Sequence, residues 1–74
     1  MEIIYTDHTR IRMRQRNITE DDIKLALRNP DQILPSFGRR KCARKAIRDR
    51  TLEIVFVKEN DQIIVITTYW LEGD

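Results

Sequence analysis

The sequence predicts an α+β domain, with two N-terminal helices packed on one face of a three- to four-stranded antiparallel sheet. Three observations carry this expectation. Capped helical segments fill most of the chain up to Pro30. Beyond it the pattern changes to extended, β-branched runs. The connections between those runs are too short for parallel crossovers, which favours an antiparallel meander. At 74 residues, 41% of them hydrophobic and 35% charged, the chain has the size and composition of one globular domain over residues 1–74.

The elements follow in order. Ile3-Ile4-Tyr5 allows at most a brief strand. Thr6 and Asp7 are good N-cap residues for a helix from His8 to Arg16. Thr19 caps a second helix, whose Glu20, Asp21 and Asp22 complement the positive end of its dipole. Ile18 and Ile23 have hydrophobic-staple spacing, and Ile23, Ala26 and Leu27 form an apolar stripe. Pro30 stops the helix near Arg28 or Asn29. Ile33 to Phe37 reads as a strand in which Pro35 suits only an edge or a bulge. After a turn at Gly38, Cys42 to Arg48 alternates small or apolar residues with basic ones. Thr51 to Val57 is strongly β-prone, Asn60-Asp61 centres a turn, and Gln62 to Trp70 is the longest strand, expected at the centre.

The formal net charge is only +2, but it is segregated. Between residues 32 and 50, seven Lys and Arg face Asp49 alone, whereas residues 51–74 hold Lys58 against five carboxylates. A basic segment from Arg39 to Arg50 suits a polyanion such as RNA, although a solvated charged surface has the same composition. One cysteine permits no internal disulfide and fits a reducing cytoplasm. One Cys and one His do not supply a tetrahedral zinc site, so no metal or cofactor is expected. No apolar run approaches the ~20 residues of a membrane span, and the N-terminus lacks a signal-peptide pattern.

Three groups of residues can carry chemistry. His8, Arg12 and Arg16 recur every four residues along one side of the first helix, where an imidazole can move a proton and guanidiniums can hold phosphate. Alternatively, His8 packs or caps the helix and the arginines pair with carboxylates. In the basic strand, Arg44, Ala46 and Arg48 point to one face and Lys45 and Ile47 to the other. Arg39, Arg40 and Lys41 extend this patch as an attracting loop. Such charges also protect an exposed strand edge. In the last strand Thr67, Thr68, Tyr69 and Trp70 combine hydroxyls with rings that can stack on bases or pack the core rim.

The run His8-x-x-x-Arg12-Met13-x-x-Arg16-Asn17-Ile18-Thr19, followed by an acidic helix start, Leu27 and Asn29-Pro30, resembles a small bacterial and archaeal domain family of unknown function. That family's pattern is roughly His-x-x-x-Arg-Met-x-x-Arg-Gly-Ile-Ser, with a closing strand ending near Thr-x-Tyr, as Thr67-Thr68-Tyr69 does. Asn17 stands where Gly is usual, and Asn also tolerates a left-handed backbone. The family in turn resembles the RelE- and BrnT-like toxins, which implies metal-independent RNA cleavage restrained by an antitoxin protein. On that resemblance His8 is the base or acid, Arg12 with Arg44 or Arg48 clamps the phosphate, and Tyr69 positions it. Arg16, Arg39, Arg40, Lys41, Lys45 and Thr68 would bind RNA around them. A non-catalytic RNA- or protein-binding module on the same fold is the alternative. Catalysis at His8 requires that it meet the basic strand in one cleft.

Overall fold

The computed structural model describes residues 1–71. Its elements run β1 (Glu2–Tyr5), α1 (Asp7–Arg16), α2 (Glu20–Arg28), β2 (Gln32–Pro35), β3 (Lys41–Ile47), β4 (Arg50–Glu59) and β5 (Gln62–Leu71). The α+β class and both helices agree with expectation. The sheet does not: it has five strands in the order β1-β5-β4-β3-β2, and β1 pairs parallel to β5. Hairpin connections determine only β2 to β5. The Ile3-Ile4-Tyr5 segment reaches its partner across the whole chain, so no short turn constrains its direction. The central strand is β4 rather than β5, because β3 and β2 extend the sheet beyond it while only β1 lies beyond β5.

Local chemistry accounts for the helices. Thr6 accepts from the backbone of Thr9 to cap α1. Asn17 then closes α1 in the left-handed region, at φ 57 and ψ 46. Thr19 and Asp22 form a reciprocal capping box on α2, and the staple residues Ile18 and Ile23 are both buried. Pro35 ends the edge strand β2, where its missing N–H costs the sheet little.

The core lies between the helices and one sheet face. Ile23 and Ala26 of α2 and Met13 of α1 pack with Ala43, Ile47, Leu52, Ile54, Phe56, Val65 and Trp70. Among the described residues no helix covers the other face. A bulge decides which β5 residues reach which side. Phe56 pairs with Val65 but Val55 pairs with Thr67, leaving Ile66 as the extra residue. Val65 therefore faces the core together with Thr68 and Trp70, while Thr67 and Tyr69 face away.

α1 contributes little apolar surface, with only Thr9 and Met13 buried. Polar bonds attach it instead. β1 pairs with β5 only as far as Val65, so the outer edge of β5 beyond that point needs other partners. The Thr9 hydroxyl lies 2.8 Å from the Val65 carbonyl and 3.0 Å from that of Ile66, at the bulge. The Arg16 guanidinium donates to the Thr68 carbonyl at 2.9 Å. Trp70 returns a bond from its indole N–H to the Arg16 carbonyl at 2.8 Å.

Among the described residues no helix is long and apolar enough to cross a membrane. The Thr9 bond makes a specific demand on stability. Thr9→Val keeps the shape but strands buried carbonyls, and should cost about 1–3 kcal/mol. Urea denaturation should show a lower midpoint with an unchanged slope.

Candidate functional site

The uncovered sheet face is organised in rows across the strands. One row is polar and runs Gln32–Arg44–Glu53–Tyr69 over β2, β3, β4 and β5. On one side of it runs Leu34–Cys42–Val55–Thr67, followed by Val57, Ile64 and Ile4. On the other side run Ala46, Thr51 and Leu71. The polar row is thus bordered on both sides by mostly apolar rows, with Thr51 and Thr67 among them.

Glu53 is its centre. Its side chain is only 7% exposed, because the flanking side chains shield it on the central strand. Arg44 Nε donates to Oε1 at 2.6 Å, and the Tyr69 hydroxyl donates a short hydrogen bond to Oε2. Burial alone would raise the carboxyl's pKa. Donation from Tyr69, Arg44 and the Cys42 thiol outweighs that and holds it below the usual range. The same bond, with burial, pushes the Tyr69 phenol up to about 12. Arg44 bonds Glu53 through its Nε–H, and among the described residues the four N–H groups on its Nη atoms have no hydrogen-bond partner.

The residues expected to form one site are divided. Arg44 and Tyr69 meet, through Glu53. His8 is exposed on the first turn of α1 and does not join them. Its neighbour Thr9 is anchored at Val65 and Ile66, whereas Tyr69 lies three residues further along β5, about 10 Å of strand. Tyr69 also points to the face that the helices do not cover. Arg12 bonds Gln15 on α1 itself, and Arg16 braces β5 rather than facing a ligand alone. Thr68 is fully buried on the core side, where its hydroxyl donates to the Glu53 carbonyl.

The basic segment is also dispersed, so it is not one patch. Arg48 is not a strand residue. It sits at φ 58 in the two-residue turn between Ile47 and Arg50, because the hairpin closes one position earlier than the alternation implies. Strand alternation places Lys41 and Lys45 on the helix side, opposite Arg44. Lys45 is bound there to Asp31 at 3.3 Å, and Asp31 also accepts from the Ala46 backbone at 2.8 Å. Arg39 and Arg40 lie at the other end of β3 in a turn closed by backbone bonds, from Ser36 to Arg40 and from Arg40 to Phe37. Gly38 provides its left-handed residue at φ 64.

Three further features are not marked by residue type. In the sequence Glu53 is one more polar position in a strand, distinguished only by its isolation between Leu52 and Ile54. Phe37 is 86% exposed at the tip of the β2–β3 turn, beside Arg39 and Arg40. Arg50 stacks on the Trp70 ring, with its guanidinium carbon 4.4 Å from the centroid.

Two titrations check this electrostatic picture. In a Tyr5→Phe background the remaining phenol should ionise at about 12, and Glu53→Gln should bring it back toward 10.0, read by tyrosinate absorbance. Because the folded pKa of Glu53 is depressed, its stabilisation is present above the ordinary 4.5 and is lost as pH falls through the folded value. The stability difference between wild type and Glu53→Gln should therefore shrink in acid, as measured by urea midpoints across pH.

Residues 5–70 match the pattern of a domain of unknown function, DUF4258. That span reaches from the end of β1 through both helices to Trp70, including the whole polar row. Comparison with curated proteins and with solved structures returned no match. Since the matched region covers most of the sequence, the chain belongs to the DUF4258 family.

Proposed function

We propose that this domain is a metal-independent endoribonuclease of the toxin type, with the Arg44–Glu53–Tyr69 row as its centre. The observation behind this reading is the row itself: a carboxylate, a guanidinium and a phenol, hydrogen-bonded together on an uncovered face. Cleavage of RNA by its own 2′-hydroxyl needs a base, a cation for the phosphorane and an acid for the leaving oxygen. Arg44 offers free N–H groups to a phosphate. A bound phosphodiester brings negative charge beside Glu53 and raises its pKa toward that of a useful base.

Glu53 then takes the 2′-OH proton as the 2′ oxygen bonds to phosphorus. The bond to the 5′ oxygen breaks, and Tyr69 gives that oxygen its proton. The transfer to Glu53 assists the second step, since a neutral carboxyl no longer holds the phenol's proton as strongly. The products are a 2′,3′-cyclic phosphate and a 5′-hydroxyl. Phe37, with Arg39 and Arg40 around it, supplies a base-stacking platform on the same strand pair.

A second reading has its own support. The apolar residues flanking the row, Leu34, Val55, Val57, Ile64 and Ile4, suit a protein partner laid over the sheet, as an antitoxin would be. On that reading the domain binds and does not cleave.

Purified protein incubated with RNA in EDTA separates the two. Cleavage to cyclic-phosphate ends should fall by about 10²–10³ in Arg44→Ala and similarly in Glu53→Gln. His8→Ala should remain within a few-fold of wild type. Phe37→Ala should weaken RNA binding by about 1–3 kcal/mol, measured by anisotropy, with little change in stability. A wild type that binds RNA without cleaving it sinks the ribonuclease and favours the binding module.

A further inference from the structure

A polar cleft of about 480 Å³ opens where the C-terminal end of α1 meets the ends of β4 and β5. Gln15, Arg16, Asn17, Arg50, Tyr69 and Trp70 line it. We propose that this cleft is a second nucleotide site, which holds a phosphate-bearing nucleotide of the strand whose neighbouring phosphate lies on Arg44. This proposal rests on the polynucleotide reading above.

Charge and shape both support it. Two guanidiniums line the cleft, and no carboxylate lines it among the described residues. Arg16 is fixed by one Nη1 bond to the Thr68 carbonyl, which orients the rest of its fork. Arg50 packs on Trp70, with its guanidinium carbon 4.4 Å from the ring centroid, which holds its charge at the cleft wall. The side-chain amides of Gln15 and Asn17 add donors and acceptors suited to a ribose or base edge. The volume lies within the range of small-ligand sites.

Tyr69 gives the cleft its connection to the row. It lines the cleft and also bonds Glu53, so a single strand crossing Tyr69 passes directly from one site to the other.

The test is an NMR titration of the ¹⁵N-labelled full chain with a ribonucleoside 5′-monophosphate, beside the same nucleoside without phosphate. The monophosphate should produce saturable shifts at the Trp70 indole N–H and at the Gln15 and Asn17 amides. The effect should weaken with salt, and the nucleoside alone should cause little change. Arg50→Gln should weaken affinity about tenfold, the loss expected for one charge-assisted contact. Arg50 is the better probe because Arg16 also braces β5. Arg44→Gln should leave the cleft shifts in place.

Absence of saturable shifts, shifts confined to the Arg44–Glu53–Tyr69 row, or wild-type affinity in Arg50→Gln would overturn the inference. Those results leave the cleavage assay untouched. Conversely, cleft binding without RNA cleavage would preserve this site and remove the ribonuclease.

Discussion

The attachment of α1 to the open edge of β5 is the constraint on which the remaining architecture depends. An α-helix usually docks through an apolar stripe, but α1 has scarcely one. Its position is set by directional bonds at the Thr9 hydroxyl, the Arg16 guanidinium and the Trp70 indole. The Thr9 and Arg16 bonds satisfy β5 carbonyls that β1 leaves without a partner when its pairing stops, and the Trp70 bond satisfies the Arg16 carbonyl at the end of α1. The helix thereby does the work of a missing strand segment. A row of backbone acceptors that invites pairing with another chain is covered without extending the sheet.

That arrangement has a consequence for the uncovered face. With both helices committed to the core side, the opposite face depends on its own side chains to shield the central strand. Glu53 is buried there without a covering layer, and remains ionised because three donors surround it. A buried carboxylate costs stability unless it is well bonded, and apolar replacement often suits such positions better.

The bulge at Ile66 links the two halves. Without the extra residue, Tyr69 would share a face with Val65 and point into the core. With it, Trp70 joins the core and closes on α1, while Tyr69 reaches Glu53. One inserted residue thus forms the polar row and also brings Tyr69 to the wall of the cleft.

The sequence alone determined the elements that local chemistry controls. Thr6, Thr19 and Asp22 capped the helices, Asn17 took the left-handed turn, and Pro30 and Pro35 marked a helix end and a sheet edge. It also named Arg44 and Tyr69 through their residue types and strand positions. Tertiary structure decided the parallel pairing of β1, because no short connection ties that strand to β5. It decided the face of Tyr69, because a bulge leaves no mark in a run of β-branched residues. It also split the basic segment, since a hairpin closing at Arg48 and strand alternation send neighbouring charges to opposite sides. His8 illustrates the difference: helical spacing aligned it with Arg12 and Arg16, but the bonds of Thr9 to the bulge placed it away from Arg44 and Tyr69.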